Sequence, residues 1–321
     1  MTGDDETAEA MAAMSKLQAQ VATGRPHPAR PEEIADFALD LLAELRASSY
    51  RPAGWLRFLG SSWRQSRRTA RANPQLVASW AGVTVALGLS EAAVLTLEAL
   101  LDEPRAALRA APGTALFLVA SQLDAYVHLS MNQPQRGDPL YTDLGAPTAL
   151  TLARRAASGL LLGHLLGGKP ANRLLALTLL LVSLATDVGD GALARRTGRV
   201  TRLGAYLDGI ADFEFALALT LTLAARRLLP RWLVVILLGR WIVPFAFVLA
   251  RYFGWVSRVR IGSTSAGKVV GGAQFLTLGA ALLDTERRPI TRRATRALRL
   301  TPAALLLLAP LPHLRRMSRG R

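Results

Sequence analysis

The chain has 321 residues, 51% of them hydrophobic, yet carries a formal net charge of +16. It contains no cysteine, which excludes disulfides, thiolate catalysis and cysteine-ligated metal centres, and its four histidines, His27, His128, His164 and His313, are too scattered for a histidine-rich metal site. No nucleic-acid-binding motif accompanies the charge, so anionic lipid headgroups rather than nucleic acid are the expected counterpart.

The acidic, polar start of the chain does not have the pattern of a cleavable signal peptide. Residues 1–30 read as disordered, and Ile34, Phe37, Leu41 and Leu45 then recur at helical steps over 31–46. From Trp55 to Arg71, the apolar Trp55, Phe58, Leu59 and Trp63 alternate with Arg57, Arg64, Arg67, Arg68 and Arg71, the pattern of a helix lying on an anionic bilayer surface. Eight apolar segments follow, near 77–101, 113–130, 149–167, 172–189, 205–225, 231–250, 267–283 and 300–314. Most are long enough, or nearly so, to cross a bilayer. Glu91 interrupts the first of them and reads as a lipid-excluded packing contact; His164 reads as structural.

A polar stretch, Met131 to Asp143, separates the first two segments from the rest. The expected fold is an all-α integral membrane protein with a six-helix core. The expected domains are a basic cytoplasmic region (1–75), a two-helix extension (76–143) and the core (144–321). Nine arginines in residues 1–75 favour a cytoplasmic N-terminus, which puts the basic loop Arg195–Arg202 on the cytoplasmic side after four crossings. On an eight-crossing count, the six arginines of 284–299 fall outside, against the rule.

The chemistry concentrates in Asp187-Val-Gly-Asp190-Gly191-Ala-Leu-Ala194-Arg195, eight further residues, then Gly204-Ala-Tyr-Leu-Asp208-Gly-Ile-Ala-Asp212. Carboxylates at membrane helices are costly unless paired or ion-bound. The i,i+3 spacing of Asp187 and Asp190 and the i,i+4 spacing of Asp208 and Asp212 put each pair on one helix face. Two such helices joined by a short basic loop can offer oxygen ligands to two hard cations, as Mg2+ or Mn2+ prefer, and two such cations suit phosphoryl transfer. Gly191 and Ala194 clear one face for a phosphate or nucleotide, Arg195 can make bidentate phosphate contacts, and Thr201 offers a hydroxyl.

This pattern, D-x2-D-G-x2-A-R-x8-G-x3-D-x3-D, is similar to the signature of the CDP-alcohol phosphotransferases, with every fixed position present. The resemblance covers the core, about half the chain. It implies that Asp187, Asp190, Asp208 and Asp212 bind two divalent cations, that Asp212 is the general base, and that Asp187, Gly191, Ala194, Arg195 and Thr201 bind CDP. It implies a CDP-linked lipid donor, release of CMP, a role in phospholipid biosynthesis, a cell-membrane location with the site facing the cytoplasm, and a homodimer as a candidate assembly.

Two further segments extend the similarity. Pro147-Thr148-Ala149-Leu150-Thr151-Leu152-Ala153-Arg154 resembles the family's Pro-Asn-x-Leu-Thr-x-x-Arg, with Thr148 in place of Asn. Gly267-Lys268 and Gln274 resemble the Gly-Lys-x-Lys-Thr-x-x-Gln of phosphatidylglycerophosphate and cardiolipin synthases, with Val270 and Gly271 replacing the second Lys and the Thr. Together with Arg240, central in its apolar run, the cations Arg154, Arg155 and Lys268 are candidates to bind a phosphate-bearing acceptor. A membrane prenyltransferase also uses aspartates and magnesium, but normally with its two motifs far apart. A divalent-metal membrane protein without enzymatic activity has no need of Gly191, Ala194, Arg195 and Gly204 at this spacing.

Overall fold

The computed structural model describes residues 36–101, 104–135, 138–255 and 265–283, without the side chains of 36–41, 251 and 265–270. The readings of residues 1–30 and of the apolar segment 300–314 lie outside these residues. All described secondary structure is helical: α1 (Asp36–Ala47), α2 (Pro52–Ala72), α3 (Pro74–Leu101), α4 (Pro104–Val127), a 3-10 turn (Leu129–Met131), α5 (Gly145–Leu166), α6 (Arg173–Thr197), α7 (Arg202–Ala225), α8 (Arg231–Tyr252) and α9 (Ser265–Leu283). Seven of the eight expected apolar segments thus coincide with helices α3 to α9.

Among the described residues, α3, α6 and the Arg231–Ala250 stretch of α8 are long and apolar enough to cross a membrane. These spans give an all-helical, multi-pass membrane architecture. Helices α5 and α7 are less apolar for a physical reason: they carry Arg154, Arg155, Asp208, Asp212 and Glu214, whose cost in lipid is met by facing one another. Helix α2 forms as expected, with Leu56, Leu59 and Trp63 exposed on a helix that also bears five arginines.

Helix order is set by small residues and by two apolar clusters. Gly159, Gly163 and Gly167 recur every four residues along α5 and its C-cap, a spacing that lets helix backbones approach closely. A Cβ on Gly163 would lie 2.1 Å from Thr114 Oγ1, 2.7 Å from the Thr114 backbone nitrogen and 2.8 Å from the Ala110 carbonyl oxygen. Helix α4 answers with Ala106, Ala107, Ala110 and Gly113, all buried. One cluster joins α5, α6, α7, α8 and α9 through Leu161, Leu180, Phe215, Leu219, Leu237 and Leu278. The other joins α3, α4, α5 and α7 through Leu76, Ala125, Leu152, Leu203 and Leu207. Along α5, Arg154 and Arg155 fall in sequence between residues of the two clusters, and along α7 so do Asp208, Asp212 and Glu214. Helix α4 of the extension thus packs closely on α5 at Gly159, Gly163 and Gly167. His164 is structural: its Nε2 lies 2.7 Å from Glu98 Oε2 on α3, and its Nδ1 2.9 Å from the Leu160 carbonyl. Glu91 is buried, and a Cβ on Gly159 would sit 3.1 Å from its Oε1.

Gly163→Ala is expected to destabilise the protein by about 1–3 kcal/mol, because the clash is with backbone that cannot swing aside. Gly82→Ala, where no atom lies within 4 Å of the added methyl, serves as the control and should melt at or slightly above wild type. Thermal unfolding of the two purified variants checks this; equal melting temperatures would mean that α4 and α5 separate at no cost.

Candidate active site

The motif hairpin is shaped by its caps. Helix α6 ends at Gly198, whose φ of 65° is a left-handed conformation that favours glycine, with its N–H bonded to the Ala194 carbonyl. Helix α7 starts at Thr201, whose side-chain oxygen accepts the Gly204 N–H at 2.9 Å. The observed work of the Thr201 hydroxyl is therefore an N-cap, and Gly204 must be small there: a Cβ would lie 3.1 Å from Thr201 Oγ1. Between the caps, Arg199 bonds both carboxylate oxygens of Asp143, just ahead of α5, and stacks 5.0 Å from the Tyr141 ring centroid. Hydrogen bonding to Arg199 holds the Asp143 carboxyl below its ordinary range. The loop of the hairpin is thus tied to the start of the first core helix.

The hairpin brings the four motif aspartates together around one cation. Arg154, projecting from α5, places Nη1 3.1 Å from Asp187 Oδ1, 3.0 Å from Asp208 Oδ1 and 2.5 Å from Asp212 Oδ1, while Nη2 lies 2.7 Å from Asp190 Oδ2. Thr151, one turn earlier on α5, donates to the same Asp190 oxygen at 2.9 Å. The arrangement is a floor and a rim. The Arg154 side chain is 1% exposed, whereas that of Asp187 is 50% exposed. Asp208 and Asp212 are also partly open, and Asp190 is buried beneath them. One oxygen from each of Asp187, Asp208 and Asp212 lies within 4.8 Å of the others, an all-oxygen donor set that fits a hard divalent cation. Asp190 is the one expected ligand outside this trio, held instead by Arg154 and Thr151. Arg195 folds back over Gly191, its Nη1 3.1 Å from where a Cβ would be, so a side chain at 191 would displace the guanidinium.

The other expected acceptor residues lie elsewhere. Arg155 is buried and engaged: Nε and Nη2 each donate to Glu214 at 2.8 Å, and Nη1 donates to Asp124 at 2.7 Å. Arg240 on α8 donates to Gln274 Oε1 at 2.5 Å and lies 5.2 Å from the Trp241 ring centroid. Trp241 Nε1 donates to the same Gln274 oxygen at 2.9 Å. The side chain of Lys268, at the start of α9, lies outside the described residues. Sequence reasoning missed Asp124, Tyr206 and Glu214. Each is a polar group in an apolar run, a signal of the kind that drew notice to Glu91, but nothing local named their partners.

The family described as CDP-alcohol phosphatidyltransferase matches residues 144–309, just over half of the chain. The chain belongs to that family. Among its relatives, it is 38% identical over 100 residues to "Cardiolipin synthase (CMP-forming)" of Streptomyces coelicolor, covering 30% of this chain and 46% of that one. It is 29% identical over 114 residues to "CDP-diacylglycerol--glycerol-3-phosphate 3-phosphatidyltransferase" of Bacillus subtilis, covering 36% of this chain and 58% of that one. The chain thus spans about half the length of the curated relatives it matches. No solved structure matches it. Divalent metals are typical of that family, which takes its name from phosphatidyl transfer from CDP-alcohols. The prenyltransferase reading falls with that membership.

Arg154→Ala removes the cation that the four carboxylates share. In metal-free solution the variant should lose roughly 3 kcal/mol, mostly through the buried Asp190, since the rim carboxylates are screened by water. Added Mn2+ should raise its melting temperature by more than it raises that of wild type. An equal Mn2+ response in both proteins would show that arginine and metal do not answer the same charge.

Proposed function

We propose that the protein transfers a phosphatidyl group from CDP-diacylglycerol to a phosphate-bearing alcohol. The observation that carries this reading is the convergence of the four motif aspartates on one small region, half of it open, with a buried arginine as its floor. Two divalent cations, Mg2+ or Mn2+, held by Asp187, Asp190, Asp208 and Asp212, would supply charge neutralisation for the donor pyrophosphate and the departing phosphate. Asp212 takes the proton of the acceptor hydroxyl, the role that the last motif aspartate has in this reading. The freed oxygen forms a bond to the β-phosphorus, the bond from that phosphorus to the bridging oxygen breaks, and CMP leaves with the electron pair. Arg195, Gly191, Ala194 and Thr201 are the proposed contacts of the CDP moiety, with Asp187 shared between nucleotide and metal. Arg154 keeps the carboxylates at fixed spacing from below. The basic loop Arg195–Arg202 favours a cytoplasmic site.

For the acceptor, the Bacillus subtilis relative's name points to glycerol 3-phosphate, and the partial Gly-Lys…Gln resemblance adds phosphatidylglycerol as the alternative. Arg240 and Lys268 are the proposed acceptor cations; Arg154 and Arg155 are held by carboxylates. Gln274 supports this assignment, because it belongs to the partial Gly-Lys…Gln resemblance and accepts from both Arg240 and Trp241.

Release of CMP from CDP-diacylglycerol, measured with a panel of acceptors, tests the reading. Glycerol 3-phosphate or phosphatidylglycerol should be turned over and an uncharged alcohol should not. Arg240→Ala should raise the acceptor KM about tenfold with donor KM little changed, and Asp212→Asn should lower kcat by about a hundredfold or more. Full activity in a chelator with metal shown to be absent would end the two-metal reading. Turnover of Asp212→Asn within about tenfold of wild type would remove the general-base role. Efficient use of an uncharged alcohol, with phosphorylated ones inert, would reassign Arg240 to the fold.

A further inference from the structure

We infer that Asp124, on α4 of the N-terminal extension, is a positioning residue for Asp208 and Asp212. The inference rests on the reading of those aspartates as metal ligands. Asp124 Oδ1 accepts from the Tyr206 hydroxyl at 2.9 Å, and Asp124 Oδ2 accepts from Arg155 Nη1 at 2.7 Å. Arg155 in turn makes two parallel bonds of 2.8 Å to Glu214. Such bidentate pairs fix orientation as well as distance.

Where these contacts fall on α7 gives them their effect. Tyr206 stands two residues before Asp208, and Glu214 two residues after Asp212. At 3.6 residues per turn, each lies roughly 160° round the helix from the neighbouring aspartate. Helix α7 is therefore gripped on two sides. Arg154 holds the aspartate face at 3.0 and 2.5 Å, and the Asp124–Arg155 node holds the opposite side at both ends of the aspartate pair. With a single polar grip, rotation of the helix about its axis would be opposed by apolar packing alone, which is not directional. A turn of roughly 15° would carry a carboxylate more than an ångström, enough to cost a large factor in rate.

The node draws on three helices. Arg155 comes from α5, beside Arg154; Tyr206 and Glu214 come from α7; Asp124 comes from α4, outside the region that matches the family. His128 closes it, with Nδ1 3.2 Å from Asp124 Oδ1 and its ring 4.3 Å from the Tyr206 ring. Without Asp124, Tyr206 loses its acceptor while Arg155 keeps Glu214 and the Ser121 carbonyl, 3.3 Å from Nη1, so one end of the grip is released while the other survives. The extension thus supplies a part of the active-site scaffold that the family's own motif does not encode.

The test uses the full chain in detergent, with Tyr206→Phe and Asp124→Ala. Each should lower kcat by about tenfold with the KM for CDP-diacylglycerol within about threefold of wild type. Each should also weaken Mn2+ binding several-fold, read by electron paramagnetic resonance without substrate. The double variant should be no worse than Asp124→Ala, because that change already removes the link that Tyr206→Phe cuts. If both folded variants keep kcat and Mn2+ affinity within about twofold of wild type, the contacts serve stability alone and the inference is wrong. Should Asp124→Ala fail to fold, Tyr206→Phe decides, since it removes only a hydroxyl. A wild-type protein that binds no Mn2+ and works in a chelator would overturn the metal reading instead, and the kcat of Tyr206→Phe would still report on positioning.

Discussion

Four carboxylates that converge within a few ångströms in a largely apolar bundle repel one another strongly. At an effective dielectric of about 20, two like charges 4 Å apart oppose each other by about 4 kcal/mol. The fold meets this with one guanidinium placed 2.5–3.1 Å from all four. Arg154 can reach them only if α5 runs beside both arms of the α6–α7 hairpin, so one electrostatic demand dictates the packing of three helices. The apolar clusters on either side of this layer then keep water from the floor, while the rim stays open to substrate.

The extension is bound to that demand as well. Its glycine- and alanine-lined crossing with α5 brings α4 close enough for Asp124 to meet Arg155, and His164 reaches Glu98 on α3. At the other end of the chain's order, Arg46 on α1 donates to the carbonyls of Tyr252 and Phe253 at the end of α8, and Trp55 packs on Phe253. The regions before residue 144 therefore hold helices on which site residues stand: α5, α7 and α8. Buried ion pairs of this kind are poor sources of net stability but good sources of register, because breaking one partner strands the other.

Much of the fold could be read from hydropathy and spacing. The apolar runs near 77–101, 113–130, 149–167, 172–189, 205–225, 231–250 and 267–283 all became helices, because nothing but helix satisfies the backbone of so apolar a segment. The aspartate hairpin was legible because its spacing is local: i,i+3 and i,i+4 pairs and a short loop need no knowledge of the tertiary structure. The destinations of Arg154 and Arg155 were not legible. Read along the chain, both are cations opening a core helix, and an acidic acceptor is a natural partner. Their carboxylate partners lie 31 to 59 residues away, on helices whose rotation only packing fixes. Thr201 shows a different limit: its N-cap bond to the Gly204 N–H depends on where the helix starts, which spacing alone does not fix. The four-residue spacing of Gly159, Gly163 and Gly167 was open to the same local reading as the aspartates and would have pointed to a close helix partner.

Charge counting bears on how many cations the site takes. Four ionised carboxylates with Arg154 leave three negative charges facing the opening. A donor pyrophosphate brings further negative charge to the same place, so the bare site would repel the molecule it is proposed to bind. One divalent cation still leaves the balance negative before the donor arrives. Two would make it slightly positive, enough to attract the donor pyrophosphate and still let CMP depart after the bond to the β-phosphorus breaks. The trio of Asp187, Asp208 and Asp212 provides ligands for one cation. A second needs Asp190, now paired with Arg154 and Thr151. Arg154 therefore stands where metal loading and fold stability meet. In the two-cation reading, a second cation would compete with Arg154 for Asp190, the carboxylate that Arg154 and Thr151 now hold.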